Sequence, residues 1–319
     1  MANDTEHELL AHIASLYYEQ EMTQNAIAEQ VGLSRVKVYR LLKQAREEQV
    51  VQITINWPLK RDTGLEMALK QAFGLKEVMV LQTTAHQGSP PALQRLGQLG
   101  AHYLEQVLTD GATLAVCLGR SSYEVIHAIR PGFQANVRVA QAMGSMPFTM
   151  QALDSATLAR ELAQKLGGEV LYLSSPLMAD SIEAAQVLRR QRDIERALEA
   201  ACRADVALLG VGNLDPANSG FAKAGFITAE ELAELVTTGA VGDVAGQIYT
   251  LSGQVHPTPY NQRVIGITLD ELGHVPTTIA VAMGREKTKA ILGGLRTGVI
   301  NVLCTDDQAA SDILRQKGD

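Results

Sequence analysis

The sequence predicts an α/β protein: a small helical N-terminal unit followed by a large, doubly wound domain. Three observations lead there. From Lys76 onward, continuous apolar runs alternate with amphipathic helical stretches. That is the pattern of a parallel sheet covered by helices on both faces. The first 46 residues show helical periodicity without such runs. Finally, 46% hydrophobic content over 319 residues supplies a substantial core, and the length suits one large domain beside a small one.

Taken in order, residues 7–19 (HELLAHIASLYYE) have a helical repeat and read as the first helix of the small unit. Thr23 opens a short second helix with apolar positions at Ala26, Ile27 and Val31. Gly32 suits a tight turn, since glycine enters left-handed space without steric cost. Ser34 is placed to cap a third helix, whose buried positions are expected at Val36, Leu41 and Leu42. Arg35, Lys37, Tyr39 and Arg40 then face outward. This is the pattern of a helix-turn-helix, whose last helix enters the DNA major groove.

From Ser34 to Arg46 there are five basic residues and no acidic one, within a chain of net charge −7. The local charge is what meets phosphates, so an acidic total does not exclude double-stranded DNA as a partner. The expected DNA-facing set is Thr23, Gln24, Ser34, Arg35, Lys37, Tyr39 and Arg40. A helix pair with a merely solvated basic face is the structural alternative. After Arg46, EEQVVQITI reads as a short strand or wing ending at Ile55, and Asn56, Trp57 and Pro58 break the pattern. The units are therefore expected at 1–57 and 58–319.

In the large domain a helix is expected from Thr63 to Phe73, with Leu65, Leu69 and Phe73 on one face. Strands follow at VMVLQ, ATLAVCL, VRVAQAMG, EVLYL, ADVALLGVG, RVIGI, TTIAVAMG and VINVLCT. Helices are expected at PALQRLGQLGAHYLEQVL, SSYEVIHAI, DSATLARELAQKLG and EKTKAILGGLRTG, with a polar helical region from Ser181 to Ala201.

The chain has no apolar run long enough to span a membrane and begins with a polar, acidic stretch, so no membrane or signal segment is expected. Cys117, Cys202 and Cys304 are far apart and read as reduced thiols of a cytoplasmic protein. The seven histidines are scattered and no Cys or His pair has ligand spacing, so neither metal nor cofactor is expected.

Open α/β sheets bind ligands beyond the carboxyl ends of their strands. Four such ends are unusual here. In LGRSS, Gly119, Arg120, Ser121 and Ser122 stand at a helix start, where N–H groups, the helix dipole and a guanidinium suit an anion. Plain N-capping by one of the serines is the alternative. AMGSM places Gly144 at another strand end. LGVGN, with Gly212, lacks the third glycine and prompt helix of a dinucleotide fingerprint. In AMGREK, Gly284 precedes Lys287 in the first turn of a helix. The dipole disfavours a cation there, so a bound anion would account for it. Asp243, in VGDVAGQIY, lies in a segment read as a loop and could accept sugar hydroxyls or simply make a turn.

Together these pieces resemble the SorC family of bacterial transcriptional regulators, over almost the whole chain. The segments that carry the resemblance are LYYEQEMTQNAIAEQVGLSRVKVYRLLKQAREEQVV, LLGVGN, AVGDVAGQIY, RVIGITLDEL and, most specifically, IAVAMGREKTKAILGGLRTGVINVLCTDDQAA. The resemblance implies a large domain like the sugar-phosphate isomerases and deaminases, with the old active site serving a phosphorylated sugar effector. It also implies a homo-oligomer, usually a tetramer, with a dimer as the fallback. It puts effector phosphate at Gly119, Arg120 and Ser121, sets Lys287 at the phosphate or nearby sugar oxygens, and sets Asp243 at sugar hydroxyls. Where the family often has Gly-Trp-Gly, this chain has Cys117, Leu118 and Gly119.

The leading expectation is a regulator of a carbohydrate operon that binds operator DNA and is controlled by a sugar phosphate, with no catalytic residues. The alternative is an isomerase or deaminase with an added DNA-binding unit. That chemistry needs an acid and base pair. Asp243 has no convincing partner, and His256 and His274 are candidates by type alone. A dinucleotide-dependent oxidoreductase is disfavoured by the incomplete glycine pattern.

Overall fold

A computed structural model of the chain describes residues 2–48, 50–51, 58–84, 90–117, 119–146 and 155–317. The expected wing falls largely on 49 and 52–57, outside the described residues. The chain divides into two compact units, Met1–Asn56 and Trp57–Asp319.

The first unit has helices Ala2–Tyr18, Gln24–Val31 and Arg35–Glu47. Their starts and stops follow local chemistry. The Thr23 hydroxyl accepts the Ala26 N–H, Gly32 closes the second helix at φ +69°, and the Ser34 hydroxyl accepts the Lys37 N–H. Leu10, Ile13, Leu16, Ile27, Val38 and Leu41 meet in one small core. Val38 is fully buried, whereas Val36 is 60% exposed. The expected burial of Val36 is therefore corrected. The inward face of the third helix is Val38, Leu41, Leu42 and Ala45, which follows the i, i+3, i+4, i+7 spacing that Val36 does not share.

The second unit is built on β1 (Glu77–Leu81), β2 (Thr113–Val116), β3 (Arg138–Gln141), β4 (Glu169–Leu171), β5 (Val206–Gly210), β6 (Gly212–Asn213), β7 (Ala240–Val244), β8 (Gln247–Thr250), β9 (Thr277–Val281) and β10 (Val302–Asp306). Seven of these form a parallel sheet of order β1-β10-β9-β5-β2-β3-β4. Alternate residues feed two apolar layers. Val78, Val80, Ala115 and Leu209 join one, while Met79, Leu81, Leu114 and Val116 join the other. Burial on both faces is why these strands read as continuous apolar runs.

Two expectations change. RVIGI is not a sheet strand. Val264 and Gly266 make isolated bridges to Met178 and Met143, and the backbone of Ile265 and Ile267 bonds to Leu177 and Ala142. The β-branched run is there to fill core, with its polar backbone satisfied by neighbouring loops. Conversely, the segment holding Asp243 is no loop. β6, β7 and β8 form a second, antiparallel sheet. Ala245 and Gly246, both at positive φ, make its two-residue hairpin turn.

Among the described residues, no helix is long and apolar enough to cross a membrane.

Candidate functional site

The order of the large sheet fixes where a ligand can enter. β2 and β5 are neighbours. After β2 the chain moves outward to β3 and β4. After β5 it moves the opposite way, to β9 and β10. The diverging connections open a crevice at the carboxyl ends of β2 and β5, the topological switch point of such sheets. A cleft enclosing about 920 Å³, counting the solvent at its mouth, opens at that place.

From β2 come Cys117, Gly119, Arg120 and Ser121, and from β5 come Gly210, Val211, Gly212 and Asn213. Gly119 precedes the helix Arg120–Ala128, so Arg120 and Ser121 are its first two residues. N–H groups in that turn have no partner within the helix. Among the described residues, neither the Arg120 guanidinium nor the Ser121 hydroxyl has a hydrogen-bond or ion-pair partner. Ser122 differs. Its hydroxyl accepts the Gly119 N–H at 2.7 Å and faces the Cys117 and Gly119 carbonyls at 3.1 and 3.0 Å. It is fully buried and serves as the cap.

The opposite wall carries Asp243 and Lys287. The hairpin β7–β8 packs closely on the helix Thr288–Arg296. A Cβ on Gly242 would lie 2.6 Å from that of Ala290, and the Tyr249 hydroxyl donates to the Ala290 carbonyl at 2.8 Å. This contact brings the Asp243 strand beside the 3-10 turn Arg285–Lys287. Lys287 donates to the Val211 carbonyl at 2.7 Å. Gly212 is required because a Cβ there would sit 1.9 Å from the Asp243 carboxylate.

Asp243 keeps a face open to the cleft, but protein surrounds it on its other sides. Burial pushes its carboxyl up to about 6, against the opposing pull of Lys287 and the Gly246 amide. Burial likewise lowers the Lys287 amine, while Asp243 and Glu286 hold it up. The Cys117 thiol is pushed up to about 12, by burial and then by Asp243, so it stays protonated.

Six of the expected effector residues therefore converge on one cleft: Gly119, Arg120, Ser121, Gly212, Asp243 and Lys287. Three do not line it. Ser122 is the cap. Gly144 lets the strand end pack on Pro176, whose carbonyl would be 2.3 Å from an added Cβ. Gly284, at φ +100°, turns the chain after β9 and donates its N–H to Asp306 at 2.6 Å. The sequence reading missed Met143, Met146, Leu177 and Phe221, which make the apolar wall, and Asn218 and Lys223. Alternation with polar positions marks none of them as ligand-facing; only their place after strand ends could have. His256 and His274 do not line the cleft.

In the small unit, Arg35, Lys37, Tyr39, Arg40 and Lys43 are all exposed. Thr23, Gln24, Asn25 and Arg35 line one surface groove. The start of the second helix and that of the third thus meet there.

Residues 58–315 match the family model described as "Putative sugar-binding domain". The chain is 33% identical over 318 residues to the transcriptional regulator LsrR of Enterobacter sp. (strain 638), covering 98% of this chain and 95% of that one. It is 30% identical over 324 residues to the sorbitol operon regulator of Klebsiella pneumoniae, covering 99% and 100%. The crystal structure of the full-length sorbitol operon regulator SorC from Klebsiella pneumoniae superposes with a TM-score of 0.71 at 29% identity, over 97% of this chain and 99% of that one. The class is thus a transcriptional regulator whose α/β domain matches that family model. The chain belongs to the SorC family of bacterial transcriptional regulators, and the enzyme alternative falls away.

Proposed function

We propose that this regulator binds operator DNA through a helix-turn-helix in its N-terminal unit and is controlled by a phosphorylated sugar held in the cleft of its isomerase-like domain. One observation carries the effector assignment. The cleft wall holds three cationic side chains, Arg120, Lys223 and Lys287, against one carboxylate, Asp243. Arg120 and Ser121 stand at a helix N-terminus without protein partners among the described residues, an arrangement that favours a phosphate. Asp243 and Asn213 then face the remainder of the ligand and suit hydroxyl groups.

Sugar phosphate can control DNA binding only through differential affinity for two states of the protein. The reading therefore makes a direct demand. DNA enriched from a random duplex pool by the full-length protein is the probe. Its affinity, followed by fluorescence anisotropy, should change at least fivefold with one member of a sugar-phosphate panel, in the range of typical coupling energies. The matching free sugar should have little effect. A panel that changes nothing, or a free sugar as effective as its phosphate, would contradict the assignment.

A further inference from the structure

The third helix of the N-terminal unit has one feature that a phosphate-binding surface does not explain. Its inward face is Val38, Leu41, Leu42 and Ala45. At about 100° per residue, the centre of the opposite face is the stripe Val36, Arg40 and Lys43. Val36 opens that stripe. The Ser34 cap starts the helix at Arg35, so Val36 is its second residue, in the turn that would lie nearest base edges.

Val36 is 60% exposed and its i+3 neighbour Tyr39 is 54% exposed. Both stand among Arg35, Lys37, Arg40 and Lys43, with no acidic residue between Ser34 and Arg46. A branched apolar side chain left in water at the centre of a cationic face gains nothing in the free protein. Its surroundings select a polyanion as the occupant of this face. Within the major groove, the apolar feature that a valine can recognise is the thymine 5-methyl group, since the side chain has no hydrogen-bonding atom.

We propose that Val36 is a specificity-determining residue that reads a thymine methyl in each half-site of the operator, while the flanking cations hold the backbone. This rests on the reading of the N-terminal unit as a DNA-binding helix-turn-helix. It adds that one recognised position is selected by apolar contact rather than by hydrogen bonding.

The test uses the full-length protein and the duplex it enriches from a random pool. Thymines are replaced by deoxyuridine, one symmetric pair at a time, which deletes only the methyl groups. At fixed salt, one pair should weaken binding by about fourfold per half-site, the worth of roughly one buried methyl. Val36→Ala, with a circular dichroism spectrum like the parent's, keeps only a shorter methyl and should distinguish the thymine and deoxyuridine duplexes at that pair less than the parent does. Sensitivity to every deoxyuridine unchanged in Val36→Ala would overturn the proposal. So would a parent protein indifferent to all replacements, or an enriched half-site without thymine. Failure of the underlying reading looks different: no duplex is enriched, or Arg35→Ala and Lys37→Ala bind as tightly as the parent. Val36→Ser serves as a second variant and should lose the same discrimination.

Discussion

At the residue scale, Asp243 carries the most telling chemistry. Its type was legible in VGD, but its environment was not. Ala245 and Gly246 form a hairpin turn without the Asn-Gly or Asp-Gly signature, so the segment read as a loop. On a strand pressed against the Thr288–Arg296 helix, the carboxyl is raised from 3.8 to about 6. The folded chain then holds a proton that the unfolded chain has released. Stability from this group is full below about pH 4 and is lost as pH rises through about 6. The Asp243→Asn variant lacks that titration. The parent should therefore lose up to about 3 kcal/mol of stability relative to Asp243→Asn between pH 4 and 7. Thermal melting at several pH values checks this, and a constant gap between the two proteins would contradict it. Val36 teaches a similar lesson. Residue type suggested burial, but helical spacing assigns the inward position to Val38.

At the element scale, the cleft depends on how the helix Arg120–Ala128 is seated. It packs on the helix Ala92–Val107 through Gly97 and Gly100. A Cβ on Gly97 would lie 2.6 Å from the Cβ of Glu124 and 2.7 Å from its backbone. Helix propensity alone says that Gly97→Ala stabilises by about 0.5–1 kcal/mol. The packing says the reverse, a loss of about 1–3 kcal/mol. A lower melting temperature for Gly97→Ala, with weaker sugar-phosphate binding as the Arg120 turn shifts, is the expected result. A higher melting temperature would show that the helices are not so tightly seated. Most helices and sheet strands were legible because continuous apolar runs and capped amphipathic stretches leave few alternatives. RVIGI was not, because a β-branched run looks the same whether its backbone bonds to a strand or to loops.

At the scale of the whole molecule, the parallel sheet was legible in the alternation of elements, but the strand order that sets the switch point between β2 and β5 was not, because alternation does not say which strands are neighbours. The apolar wall of Met143, Met146, Leu177 and Phe221 was not, because these residues converge from distant loops that only the fold brings together. Regulators that read paired half-sites present two DNA-binding units related by symmetry. We therefore expect light scattering of the full chain to give a dimer or tetramer mass at micromolar concentration. A monomer there would contradict the expected assembly.

A single cleft, with Lys287 in its wall, is expected to receive the phosphorylated effector and to govern DNA binding. Lys287 sits where a helix begins, a position that disfavours a cation by roughly 0.3–1 kcal/mol until an anion binds. Calorimetry of the parent and Lys287→Ala with the sugar phosphate that alters DNA affinity tests this most directly. Lys287→Ala should bind the selected DNA like the parent but bind the sugar phosphate at least about tenfold more weakly, the loss of one charge-assisted hydrogen bond. Equal sugar-phosphate affinity in the two proteins would contradict it.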